Sequence, residues 1–232
     1  MEEAIKQITK KMLYEFPLFF QNIPKILGDS RRFFKTIENT ETAFIKASIF
    51  AVFVSCFLVF LNVPSYKING IYLDAAFYTL DIFVTWLIIV IIGAKFWVVT
   101  RVLLGEGGFF KTLSSFFYAT SMLIFIKLAE IPTRVVRDKG LLVEPGSALS
   151  YENSAKIIFE NKYTLASEWY VFVGYLLFSL LIFNVIRAVH NFGILRSFIA
   201  SCLVMYVISL SISYLQNPIT KTLLTAFSHP IP

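Results

Sequence analysis

Charge is scarce in this sequence. Only 16% of its 232 residues are Asp, Glu, Lys or Arg, against about 25% in a soluble globular domain. A chain of this length cannot cover a water-facing surface with so few. Cysteine is scarcer still. Cys56 and Cys202 both fall inside apolar runs, which excludes a disulfide framework and a CxxC pair and reads as two small buried apolar residues. Histidine occurs at His190 and His229, placed here in a connecting turn and the tail. There is no HExxH, no paired Cys/His spacing and no EF-hand loop. A GxSxG nucleophile elbow is missing. The Gly105–Gly108 stretch, GEGG, lacks the Gly-Lys-Ser/Thr ending of a phosphate loop. These absences argue against an enzyme, and no catalytic, cofactor-binding or metal-ligating residue is assigned.

What is present is apolar sequence in long runs. The chain is 57% hydrophobic with mean hydropathy +0.71. Five segments approach the ~20 residues that a helix needs to cross a ~30 Å hydrocarbon core. They are Ala43–Leu61, Phe77–Val99, Leu113–Val135, Trp169–Ala188 and Arg196–Leu215. A lipid-exposed backbone must satisfy its own hydrogen bonds, so the expected fold class is all-α: a polytopic membrane helix bundle. Four spans, with the third segment re-entrant, is the alternative. Trp97, Trp169, Tyr66, Tyr72, Tyr78 and Tyr214 stand near the span ends, where amphipathic rings are favoured.

The expected organisation is an amphipathic N-terminal segment over 1–40, a five-span domain over 41–216 and a short tail over 217–232. No apolar h-region opens the chain, so a retained N-terminus is expected. Ile5, Ile8, Met12, Leu13 and Phe16 recur at helical spacing, with Lys6, Lys10 and Lys11 mostly off that stripe. That pattern reads either as a helix lying on an anionic membrane surface through those lysines or as a helix packed on the protein.

With the N-terminus cytoplasmic, one side receives Lys6, Lys10, Lys11, Lys25, Arg31, Arg32, Lys35, Arg101, Lys111, Arg187 and Arg196. The other receives Lys67, Arg134, Arg137, Lys139, Lys156, Lys162 and Lys221. The positive-inside rule favours that orientation. The net charge of +6 thus reads as topology and lipid contact. A nucleic-acid partner is not expected, because no basic face is interleaved with exposed aromatics.

Two features stand out against this background. Gly105, Gly107 and Gly108 make a short connector in which left-handed or crowded backbone is permitted. Span three then carries Lys127, Glu130 and Arg134 where hydrocarbon is expected. At these spacings the three share one helix face, and Glu130 can bridge both cations. Asp81 on the antiparallel span two is the candidate partner for Lys127. The group reads either as an interfacial anchor or as a buried network in a polar pocket.

Leu103–Phe125, LLGEGGFFKTLSSFFYATSMLIF, resembles the segment that marks the Yip-domain family, small integral membrane proteins named for interaction with Ypt/Rab GTPases. In that family a Gly-rich cytoplasmic turn is followed by an aromatic, a basic or polar residue, and a helix with a Tyr-Ala/Ser pair. Here the matching residues are Gly107, Gly108, Phe109, Lys111, Tyr118 and Ala119. The family usually has a proline soon after that pair, where this chain has Ser121 and Met122. FFKTIENTETAFIKASIFAVFVS is similar to the family's pre-span segment, and His190–Ala200 to its last inner turn. The resemblance covers roughly Phe33–Leu215. It implies five spans, a cytoplasmic N-terminus and, for eukaryotic members, roles in vesicle traffic, membrane shaping and GTPase recruitment, while prokaryotic relatives are largely without assigned function. The short N-terminal region points to a prokaryotic-type member, in the plasma or inner membrane. A eukaryotic member would sit in secretory-pathway membranes.

Two functions therefore stand open. One is a non-enzymatic scaffold whose partners are the bilayer and other membrane proteins or itself. The other is a transporter or channel subunit using Asp81, Lys127 and Glu130 in a polar pocket. Charges paired at one packed interface would favour the first, and a continuous wet groove the second.

Overall fold

The computed structural model describes residues 16–143, 156 and 159–227. The described residues are helical throughout their ordered elements and contain no strand. Helix α1 spans residues 16–28. It is followed by α2 (Ser30–Thr36), α3 (Glu41–Ile68), α4 (Ala75–Val102), α5 (Phe109–Ala119) and α6 (Met122–Val143). Further along the chain come α7 (Lys162–His190), α8 (Ile194–Ser211), a π-helical turn at Ile212–Gln216, and α9 (Asn217–Phe227). Short polar side chains start the long helices by accepting backbone N–H groups that have no intrahelical partner. Thr40 caps α3, Asp74 caps α4 and Asn161 caps α7.

Five stretches are long and apolar enough to cross a membrane: Glu41–Ile68, Ala75–Val102, Phe109–Lys139, Lys162–His190 and Ile194–Phe227. They fit a multi-pass membrane protein. The first, second, fourth and fifth turn exposed Phe60, Phe83, Trp169, Phe172 and Phe198 outward, as lipid-facing walls do. The third is the most enclosed of the five. It runs up the middle as two helices, with α6 packed on α7 and α3, and α5 on α3, α4 and α7. Glycines permit the closest approaches, as small residues do between membrane helices. A Cβ on Gly174 of α7 would stand 2.7 Å from Ile126 of α6, and one on Gly93 of α4 would stand 3.0 Å from Phe116 of α5.

The central crossing breaks between Ala119 and Met122. Thr120 and Ser121, both fully buried, turn their hydroxyls back to donate to Phe117 O (2.6 Å) and Tyr118 O (2.8 Å). The N–H groups of Leu123 and Ile124 reach only three residues back, to Thr120 O and Ser121 O. The interruption therefore leaves its polar backbone satisfied inside the bundle, without a proline.

Residues 16–36 join the bundle. Phe19 packs among Phe50, Phe53 and Phe57 of α3, with ring centroids 4.6, 5.7 and 5.5 Å away. Ile26 and Phe34 are fully buried. Phe53 lies twelve residues into α3, about 18 Å from its start at 1.5 Å per residue. Helix α1 thus runs alongside α3 to that depth rather than across its end. Lys6, Lys10, Lys11 and the remainder of the expected surface helix, up to residue 15, lie outside the described residues. At the opposite end, α9 folds back over the α3–α4 connection. Leu223 packs with Val59, Tyr66, Ile71 and Phe77, and Tyr72 N–H donates to Phe227 O.

Candidate functional site

The central crossing is held differently at its two ends. Where it begins, the glycine connector folds over the end of α7. Gly107 N–H donates to Nδ1 of His190 (3.1 Å), and Nε2 of His190 lies 3.2 Å from Thr112 Oγ1. The Thr112 hydroxyl already donates to Gly108 O (2.8 Å). The ring must then donate from Nε2 and accept at Nδ1, so a neutral imidazole satisfies both contacts. His190 is 1% exposed.

The glycines are required here by crowding. A Cβ on Gly105 would stand 2.6 Å from the His190 ring and 2.8 Å from Thr100 O, and one on Gly107 would meet the same ring at 2.6 Å. Gly108 starts α5 without a side-chain cap of its own. The cap comes from Asn39, before α3, whose Oδ1 accepts Lys111 N–H (3.0 Å). A Cβ on Gly108 would occupy the Asn39 amide, 2.2 Å from its nitrogen. The left-handed residue of the connector is Leu104, at φ 60°, not a glycine. Nearby carbonyls are taken as well. Arg101 donates to Gly105 O (2.8 Å), Arg196 to Leu103 O, and the Lys111 ammonium to Lys35 O (3.1 Å). The connector therefore ties α2, α3, α4, α7 and α8 together.

Toward the other end, side chains do the joining. Arg134 of α6 donates to Asn62 Oδ1 of α3. Asn62 Nδ2 donates to the Tyr66 hydroxyl (3.3 Å), which donates to Asp81 Oδ2 of α4 (2.7 Å). Ser65 donates to Asp138 of α6. Lys127 pairs with Glu130 on its own helix at 2.5 Å, both half-buried. On the α7 side Thr133 donates to Ser167 Oγ (2.8 Å), which donates to Ala129 O (2.5 Å). This is a polar seam along α6, facing α3 and α7, with Asp81 of α4 joined to it through Tyr66. The cavity beside it, between Asn62, Ser65, Lys127 and Arg134, holds about 10 Å³, room for about one water.

The four expected seam residues thus separate into two groups. Lys127 and Glu130 meet. Asp81, 4% exposed, is reached by Tyr66 and not by Lys127, which corrects the expected Asp81–Lys127 contact. Arg134 turns to Asn62 on α3 rather than sharing Glu130. The reason is rotational: the face of α6 bearing Arg134 points at α3, and a tyrosine from α3 spans the distance to Asp81. Of the connector residues, Gly105, Gly107, Gly108 and Lys111 meet at the turn. Phe109 packs edge-on against Trp97 (5.2 Å). Tyr118 lies deeper, between Phe50 (4.8 Å) and Phe33 (5.2 Å). Asn39, Asn62, Tyr66 and His190 were not anticipated in these roles. The signals for the middle two were legible, since Asn62 and Tyr66 interrupt an apolar run. Among the described residues, no three His, Cys, Asp or Glu side chains gather as metal ligands. No family model, curated protein or solved structure matches the chain.

Proposed function

We propose that this chain is a non-enzymatic membrane scaffold, a closed five-crossing bundle that presents its ends to partner proteins or shapes the bilayer around it. The observation that carries the reading is the seam. Its charged and polar groups engage one another across packed helices beside a cavity of about 10 Å³, room for about one water. Charged residues inside membrane bundles usually face a partner or a wet cavity, and here they face partners. The resemblance of Leu103–Phe125 to the Yip-domain segment supports the same class, with the glycine connector on the cytoplasmic side, as the distribution of lysine and arginine favours. Partner capture from native membranes by cross-linking and mass spectrometry tests the reading. A partner recovered in stoichiometric amount is expected. The reading fails if the purified chain alone, in liposomes, carries an ion or small solute across the bilayer and loses that flux in Asp81→Asn.

A further inference from the structure

Lys95 is a cation of the crossing helices that belongs to neither the seam nor the connector. Lys95 of α4 is exposed, seven residues before Val102, about 10 Å from that helix end. Its ammonium donates to Ser211 Oγ of α8 at 3.0 Å. Ser211 O–H is itself committed to Val207 O (2.8 Å), so it can only accept from the lysine. Among the described residues no carboxylate lies within ion-pair distance of Lys95, and two of its three N–H donors have no protein acceptor. Yet the surface around it is hydrocarbon: Ile91, Ala94, Val98, Val99 and Val207 line with it an open lateral groove of about 440 Å³. A lysine without a carboxylate partner is unfavourable in such surroundings. Something anionic and otherwise apolar would remove that cost. Directly after Ser211 the helix widens into the π turn Ile212–Gln216, a departure from regular winding that often accompanies a site.

We propose that this groove binds one anionic phospholipid from the leaflet on the glycine-connector side, with an acyl chain along Ala94, Val98 and Val207 and the acidic headgroup drawn to Lys95. The lysine stem lets the ammonium swing from Ser211 toward the phosphate level, as snorkelling side chains do. The occupant is a lipid rather than a soluble phosphate because the groove opens sideways from the helix bundle and its walls are apolar except for Lys95.

The test uses the full chain in nanodiscs of phosphatidylglycerol or phosphatidylcholine, released and weighed intact by native mass spectrometry. Wild type should retain one phosphatidylglycerol and prefer it about fivefold, the effect of roughly one lysine beside an anionic lipid. Lys95→Met should abolish the preference and Lys95→Arg should keep it. Val207→Trp fills the groove without touching the charge and should also lose the retained lipid, which separates a built site from a stray surface cation and covers the case in which Lys95→Met does not fold. Unchanged preference in Lys95→Met, or retention unaffected by Val207→Trp, overturns the proposal. So does a Lys95-dependent dimer in phosphatidylcholine alone, which would give the groove to a second copy.

Discussion

The two halves of the central crossing solve one problem by opposite means. Helix α5 carries no charge after Lys111 and is buried over most of its length from Thr112 onward; it is placed by backbone contacts at its start, where the connector glycines meet His190 and Asn39. Helix α6 carries Lys127, Glu130, Arg134, Arg137 and Asp138, is only half-buried, and is placed by long side chains reaching across to α3 and α7. Close backbone contact leaves no room for an added atom. Long side chains can bend and re-pair, so their positions tolerate change. The first end should therefore be brittle and the second compliant.

Substitution at the connector should give the largest effect. Gly105→Ala drives a Cβ against both the His190 ring and the Thr100 carbonyl, and backbone cannot step aside. A loss of about 1–3 kcal/mol is expected, as for other overpacked sites, read as a lowered melting temperature in detergent. Gly28→Ala, at the exposed end of α1 with nothing within 4 Å of the added atom, is the control and should not lose more than about 0.5 kcal/mol. Equal losses at the two glycines would erase the distinction between a crowded and an open position.

Next comes the buried carboxylate. Tyr66→Phe leaves Asp81 without its hydroxyl donor and should lose about 1–2 kcal/mol, with Tyr66→Phe plus Asp81→Asn losing less than the sum of the two. A strictly additive double would mean that the Tyr66–Asp81 bond contributes nothing. Asn39→Ala removes the cap that α5 lacks on its own helix and should lose about 1 kcal/mol. Amide exchange at Lys111 should rise with it, and unchanged exchange there would show the cap to be incidental. The smallest effect belongs to Lys127. Its pair with Glu130 lies on one helix, so Lys127→Met should lose about 0.6 kcal/mol and combine with Asp81→Asn additively to about 0.5 kcal/mol. Strong coupling would restore the direct Asp81–Lys127 network.

Five crossings were legible because composition and run length are properties of the solvent around a helix. The limits of those runs were less so, and for an informative reason. The first run ends at Leu61 by hydropathy, yet α3 continues to Ile68. The residues that end the run, Asn62, Ser65 and Tyr66, are the ones that build the seam. A hydropathy reading discards them at the point where the helix turns from lipid to partner. That Lys127 and Glu130 meet follows from helical spacing within one helix. That Asp81 meets Tyr66 depends on how α3, α4 and α6 are rotated about their axes, which no spacing within a single span encodes. His190 reads as a turn residue because it follows the last apolar stretch. Only the fold reveals that the connector closes over it.

The central claim is that the seam is a closed joint between helices rather than a path through them. Ile131 lines the small cavity beside Lys127 and Arg134. In a background lacking Cys56 and Cys202, Ile131→Cys should resist a water-soluble, membrane-impermeant thiol reagent from both sides of sealed liposomes, while a cysteine placed at exposed Lys139 reacts from one side. Rapid labelling of Ile131→Cys, at a rate near that of the Lys139 control, would show water standing along the seam and would contradict the claim.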